Sequence, residues 1–294
     1  MIKLMNTLAT AAFVAAAMPA AAADVDWSKV DEAFGKKGAM QAGDVYRVTF
    51  PRSDLQVTLD GVALKPGFAS GSHLEMKAMG DRAMLMGDLV LTESEVNPVM
   101  ERLLDGGVEV TAIHNHLLRT SPELFYMHVG GAADPVAMAK TIHDALTASK
   151  TPLTSAPASP PPQLDLDTAA IDGVLGAKGN NNGGVYQFSI PRGDAISEAG
   201  MAVPPAMGTA IAINFQPTGG GKAAITGDFV LLGSEVQPVL KELRGNGIDV
   251  TALHSHMIDD QPHAYFMHFW ANDDAGKLAR GLKAALGHVN VAKG

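Results

Sequence analysis

The 294-residue chain contains no cysteine. That absence excludes disulfides, thiol nucleophiles, cysteine-ligated zinc and a lipid-modified N-terminal cysteine. Aromatic residues make up 5% of the chain, so stacking platforms for bases or sugars are sparse. No run of Lys or Arg occurs and the formal net charge is -9, which argues against nucleic acid, because phosphate binding needs clustered cations. A Walker loop, a G-x-G-x-x-G fingerprint and a G-x-S-x-G elbow are also missing. Gly219-Gly220-Gly221-Lys222 has neither the spacing nor the hydroxyl of a phosphate loop and reads as a hairpin turn.

What is present is ordinary for a globular protein: 47% hydrophobic and 18% charged residues. The length accommodates two domains of about 100–200 residues each. In residues 1–23, Lys3 is the only charge, the middle is a short apolar run, and Ala21-Ala22-Ala23 has the small-x-small form that precedes cleavage. This reads as a signal peptide, too short for a comfortable spanning helix. We expect a mature chain from about Asp24, soluble in the periplasm or secreted, with no membrane anchor.

The chain matches itself at an offset of about 140 residues. Val45-Tyr46-Arg47-Val48-Thr49-Phe50-Pro51-Arg52-Ser53-Asp54 returns as Val185-Tyr186-Gln187-Phe188-Ser189-Ile190-Pro191-Arg192-Gly193-Asp194. Gly87-Asp88 returns as Gly227-Asp228, Ser94-Glu95-Val96 as Ser234-Glu235-Val236, and Met127-His128 as Met267-His268. Val110-Thr111-Ala112-Ile113-His114-Asn115-His116 returns as Val250-Thr251-Ala252-Leu253-His254-Ser255-His256. A period this long is a domain duplication. The copies span 24–148 and 165–294, joined by a Pro/Ser-rich linker over 149–164.

Within the first copy, 45–50 reads as a strand rich in β-branched and aromatic residues, and 83–91 as another strand. Val96, Val99, Met100, Leu103 and Leu104 mark one buried face of a helix that starts near Ser94 and stops at Gly106-Gly107. Strands over 108–116 and 124–129 and a helix over 136–146 complete a β-α-β-β-α order. With a further strand this predicts an α+β fold: two tandem ferredoxin-like-related domains, helices on one face of each sheet. The other faces are expected to pair as a pseudo-twofold and line a pocket.

Alternation along a strand puts His114 and His116 on one face, and His128 on the next strand brings a third imidazole. His254, His256 and His268 repeat the set. Six of the ten histidines occupy these duplicated positions, whereas Glu123 aligns with His263, and His73 and His143 have no histidine counterpart. Three imidazoles without a thiolate suit zinc or copper with an open position for water or a small-molecule substrate. The bland alternative is a set of histidines hydrogen-bonded along a sheet or between copies.

Glu95 and Glu235 are candidate catalytic bases or extra ligands. Each also fits the first turn of a helix, where Thr92-Glu93-Ser94-Glu95 has the form of a capping box. Asp88 and Asp228 could orient a metal-bound imidazole or make a turn. Arg52 with Asp54, and Arg192 with Asp194, read as local ion pairs. Tyr126 and Phe266 share the face of His128 and His268 and form either a pocket wall or core, while Met127 and Met267 point the opposite way, into the core.

The stretches MGDLVLTESEVNPVMERLLDGGVEVTAIHNHLL with YMHV, and TGDFVLLGSEVQPVLKELRGNGIDVTALHSHM with FMHFW, resemble the LppY/LpqO family, a bacterial domain of unknown function, in two copies. By motif position, His114, His116, His128, His254, His256 and His268 match that family's recurrent histidines. The resemblance implies no reaction, and the lipoprotein character of its namesakes does not carry over to a chain without cysteine. The leading expectation is therefore a periplasmic metal-binding protein, with zinc- or copper-dependent hydrolysis as one outcome. The alternative is a non-enzymatic ligand-binding or interaction module with structural histidine clusters.

Overall fold

The computed structural model describes residues 25–154 and 160–292. The expected signal peptide and the middle of the linker lie outside them. The first copy runs α1 (Trp27–Phe34), β1 (Ala39–Gln41), β2 (Val45–Pro51), β3 (Thr58–Leu59), β4 (Val62–Ala63), α2 (Pro66–Ala69), β5 (Gly71–Met79), β6 (Arg82–Leu91), α3 (Glu93–Asp105), β7 (Glu109–His114), β8 (Phe125–Ala133) and α4 (Pro135–Leu146). The second repeats it as α5 (Thr168–Leu175), β9 (Asn180–Asn182), β10 (Val185–Pro191), β11 (Ser197–Glu198), β12 (Met201–Ala202), a 3₁₀ turn at Pro205–Met207, β13 (Ala210–Gly219), β14 (Lys222–Leu232), α6 (Gly233–Gly245), β15 (Asp249–His254), β16 (Asp260–Gln261), β17 (Ala264–Asp274) and α7 (Ala275–Leu286). No described helix is long and apolar enough to cross a membrane.

Each copy is α+β, built on an antiparallel sheet of order β1-β2-β5-β6-β8-β7 or β9-β10-β13-β14-β17-β15. In β6-α3-β7-β8 the third strand lies between the first two, so β6 and β7 run parallel with β8 between them. The strand that flanks β6 on its other side comes from the N-terminal half of the copy, as β5, and β2 and β1 extend the sheet to six strands. The order β-α-β-β-α-β is thus not followed, because β5 is joined to β6 by a hairpin at Gly80 and no strand after α4 is needed.

Strand alternation divides each sheet into two faces. Leu74, Met76, Leu85, Leu89, Met127 and Val129 face the helices and pack with Val99, Leu103, Ile142 and Leu146. The second copy does the same with Ile213, Phe215, Ile225, Phe229, Met267 and Phe269. Met127 and Met267 are fully buried in these cores, as their strand phase dictates. The helix-free faces of the two sheets are turned towards each other.

The 55–69 arm of the first copy reaches over the second sheet, where α2 packs on β13 and β14, while the 3₁₀ turn of the second copy packs on β5. Lys65 N donates to Gln216 Oε1 at 2.8 Å, Gln216 Nε2 returns a bond to Ala63 O at 2.8 Å, and Trp270 Nε1 donates to Asp60 Oδ2 at 3.0 Å. Leu59, Phe68, Leu117 and Tyr126 share a core cluster with Val185, Ala224 and Trp270 of the other copy. Exchanged arms and a shared core fix the two sheets relative to one another.

Candidate metal centre

His114 ends the edge strand β7, and His128 stands one strand in from that edge, on β8. A bulge between Val110 and Ala112 resets the strand phase so that Ala112 rather than Thr111 is opposite His128, and His114 is opposite Tyr126. His116 lies beyond the end of β7, where its ring stacks on Tyr126 at 3.6 Å. In the second copy His256 stacks on Phe266 at 3.5 Å. Tyr126 and Phe266 are therefore walls against the second histidine of each His-x-His pair.

The two sets do not form separate centres. His114 and His254 meet with ring centroids 3.5 Å apart, His116 and His268 at 3.8 Å, and His128 and His256 at 3.7 Å. Exchanging the copies maps the first pair onto itself and exchanges the other two, as a twofold contact requires. A three-histidine site inside one copy is thus replaced by one six-histidine cluster between copies.

Ligand atoms of His114, His128, His254 and His256 lie within 4.8 Å of one another, as do those of His116, His254, His256 and His268, and those of Asp88, His116 and His128. The Nε2 atoms of all six histidines are buried without a hydrogen-bond partner, and so is Nδ1 of His114. The opposite nitrogen explains which way two of them face. His128 Nδ1 lies 2.5 Å from Asp88 Oδ1, and His268 Nδ1 lies 3.1 Å from Gly227 O. Each acceptor holds the proton on Nδ1 and leaves the Nε2 lone pair aimed into the cluster, the arrangement that orients imidazoles towards an ion. Buried polar atoms are normally satisfied, so converging orphaned lone pairs fit a group that accepts them, and a cation does so.

Burial pushes the imidazole of His114 down to about 3, helped by His254 and His128, and that of His254 down to about 4, helped by His128. His116, His256 and His268 are held well below the ordinary histidine range for the same reason, crowding of positive charge in a dry volume. Neutral imidazole is the ligating form. For Asp88, burial works upward, but His128 and then His73 hold the carboxyl well below the carboxylate range.

Asp228, the equivalent residue, behaves in the opposite way. Its carboxyl is pushed up to about 7 by burial and by Asp88, while His268 takes the Gly227 carbonyl in its place. The repeated Gly before each Asp has a steric cause: a Cβ on Gly87 would lie 2.4 Å from His73 O, and one on Gly227 1.9 Å from Ala212 O. A side chain at either glycine would strike the backbone of the neighbouring strand.

Glu95 and Glu235 are not brought to this cluster. Arg52, fully buried, donates to Glu95 at 2.7 and 3.2 Å, to Asp54 at 2.9 and 2.8 Å, and to Val90 O at 2.8 Å. Glu95 also accepts from Thr92 N and Lys150 N, both at 2.8 Å. Burial opposes the charge on Glu95, but Arg52 and these amides outweigh it and lower its carboxyl. Glu235 repeats the pattern with Arg192, Leu232 N and Asn290 N. Both carboxylates cap a helix and tie its start to the chain segment that follows the last helix of the copy; neither belongs to the groups close enough to share an ion. A catalytic base with every lone pair engaged has no capacity for a water, so the geometry withdraws that role. The Arg-Asp pair read as local is in each copy one half of this longer connection.

Three polar residues escaped the sequence reading. Arg47 Nε lies 2.9 Å from Glu75 Oε1, His73 Nδ1 3.1 Å from the same oxygen, and His73 Nε2 3.8 Å from Asp88 Oδ2. They extend the polar row from the histidines across β6, β5 and β2. The signal was present as divergence: Gln187, Ala212 and Asn214 stand at the equivalent positions of the second copy. A search for what the copies share passes over it.

Fold and site together define a duplicated α+β protein with a histidine centre between its two halves. The chain belongs to the family described as Domain of Unknown Function (DUF1259), which it matches twice, over residues 28–148 and 169–288. That match replaces the LppY/LpqO assignment and confirms the duplication. No curated protein matches. Among solved structures, the trimeric bacterial microcompartment shell protein PduB is 14% identical, with 85% of this chain and 89% of that chain covered at a TM-score of 0.21. EtuB from Clostridium kluyveri is 10% identical, with 85% and 90% covered at a TM-score of 0.20. Similarity this low carries no argument about fold or function.

Proposed function

We propose that this protein is a non-enzymatic metal-binding module whose two halves together hold zinc or copper in the six-histidine cluster. The observation that carries the reading is the set of buried, partnerless Nε2 atoms converging from both copies. A tetrahedral zinc with Zn–N near 2.05 Å needs donors about 3.4 Å apart, so from a spread of 4.8 Å a contraction of at most about 1.4 Å would close either four-histidine group. Neutral imidazoles suit zinc and copper better than magnesium or calcium, which prefer oxygen. The engagement of Glu95 and Glu235 supports binding over hydrolysis. The leader read in residues 1–23 extends the proposal to a periplasmic site of action.

Metal analysis of untagged protein, beside a His114→Ala/His116→Ala variant, tests this. Zinc or copper at one or more equivalents in the wild type, and a loss of at least half in the variant, is the expected result. Equal metal in both proteins, or none in either, refutes it. The close ring pairs at 3.5–3.8 Å support a second reading, an interaction module whose imidazoles serve only to join the copies. In that case metal is absent and the variant loses stability.

A further inference from the structure

The cleft between the sheets extends beyond the histidines, with a volume of about 1530 Å³, and it is unequal on its two sides. On the first-copy wall stand Arg47, His73 and Glu75; the second copy has Gln187, Ala212 and Asn214 at those positions. The floor differs more. Gly130 occupies, opposite Met86 on β8, the position that Trp270 holds opposite Thr226 on β17. Trp270 is buried against Phe68 and hydrogen-bonded to Asp60, and so fills its half. A Cβ on Gly130 would meet only Thr111 Cγ2 at 3.4 Å and Leu85 O at 3.7 Å, which is ordinary contact, so packing does not demand glycine there. The room above Gly130 belongs to the cleft.

The charges around that room set its chemistry. Glu75 is paired with Arg47 and His73, and Asp88 with His128. Glu109 is exposed on the edge strand. The Arg47 side chain is 39% exposed, and its Nη groups meet no acceptor among the described residues. A guanidinium with free N–H groups is a fork for a carboxylate. We propose that the first-copy side of the cleft binds a small organic carboxylate, anchored on Arg47 and lying over Gly130 towards the histidine centre. The anchor rests on cleft geometry alone; the attraction of the far end to a bound cation rests on the metal reading above. A ligand without twofold symmetry explains why two copies that kept six histidines diverged at Arg47, His73, Glu75 and Gly130.

Calorimetric titration of the untagged, zinc-treated full chain with acetate, succinate and L-malate tests the proposal, with putrescine as a cationic comparison. Saturable binding of at least one of the acids is expected, weakened tenfold or more in Arg47→Gln and abolished in Gly130→Trp, with zinc content equal in all three proteins. The Gln of the first variant and the Trp of the second are the second copy's own residues. If circular dichroism shows Gly130→Trp unfolded, Arg47→Gln decides. No acid bound, putrescine bound in their place, or an affinity unchanged by Arg47→Gln overturns the carboxylate site. Zinc measured on the same samples keeps the two readings apart: a wild type without zinc that still binds an acid through Arg47 refutes the metal and leaves the cleft ligand standing.

Discussion

Replacing His114 by Leu separates a metal centre from a structural histidine cluster by the sign of its effect. His114 lies at the centre of the cluster, 3.5 Å from His254, 4.8 Å from His128 and 4.9 Å from His116 between ring centroids. Both of its nitrogens are buried and unpartnered. A buried polar group left without a partner costs about 1–3 kcal/mol, and a Leu side chain of similar volume has none to lose. Metal-free His114→Leu is therefore expected to be more stable than the wild type by about 1–2 kcal/mol, a few degrees in Tm for a chain of this size. Zinc at 100 times its Kd adds about 2.7 kcal/mol to the wild type; with the ion in the group of His114, His128, His254 and His256 it adds little to the variant and the order of the two inverts, whereas the group of His116, His254, His256 and His268 is left whole. Calorimetric melts in EDTA and in zinc read both effects. A leucine variant that is less stable in EDTA refutes the reasoning, because the imidazole would then be making contacts of its own; an equal gain from zinc in both proteins places the ion in the group that lacks His114.

Four further outcomes follow from the same geometry. Stability without metal should fall as pH drops from about 6.5 towards 4: His254 titrates near 4 when folded and near the ordinary 6.5 when unfolded, so the unfolded chain binds more protons in that window, and His114 extends it to about 3. A Tm that stays flat between pH 7 and pH 5 would contradict this. Asp228 has the opposite sign, since its folded value of about 7 exceeds the unfolded one; above pH 7 it carries an unfavourable buried charge, and Asp228→Asn should raise metal-free stability at pH 8 by about 1–2 kcal/mol in urea melts. Asp88→Asn should weaken zinc binding about 10–100-fold in chelator competition, whereas Asp228→Asn should change it little, because only Asp88 holds an imidazole proton. Glu95→Gln should cost about 2–4 kcal/mol of stability by weakening a buried ion pair and leave zinc stoichiometry unchanged by metal analysis; a loss of zinc with the fold intact would return Glu95 to the site.

Much of the local structure was legible because it depends on short-range rules. The 3.6-residue spacing of Val99 and Leu103 fixed α3, and strand alternation fixed Met127 inward and His128 outward. The Glu95 cap was readable from its first-turn position, but its bond to Arg52, 43 residues earlier, was not, since no periodicity records which strand end meets which helix start. The same limit hid the row from Arg47 to Asp88, whose members lie on three different strands.

The sequence by itself determined the duplication, the α+β class and the two repeated sets of three histidines, because repeats and periodicities are properties of a single line of residues. Only the tertiary structure decided that two sets of three become one set of six. That outcome depends on two open sheet faces packing together, with His114 against His254 on the local twofold. It also decided that Asp88 and Asp228, each preceded by Gly at the same place in the repeat, differ in surroundings: His128 bonds Asp88, whereas His268 takes the Gly227 carbonyl. An aspartate's ionisation is set by what surrounds it in space, and beside Asp88 stands His73 where the second copy has Ala212.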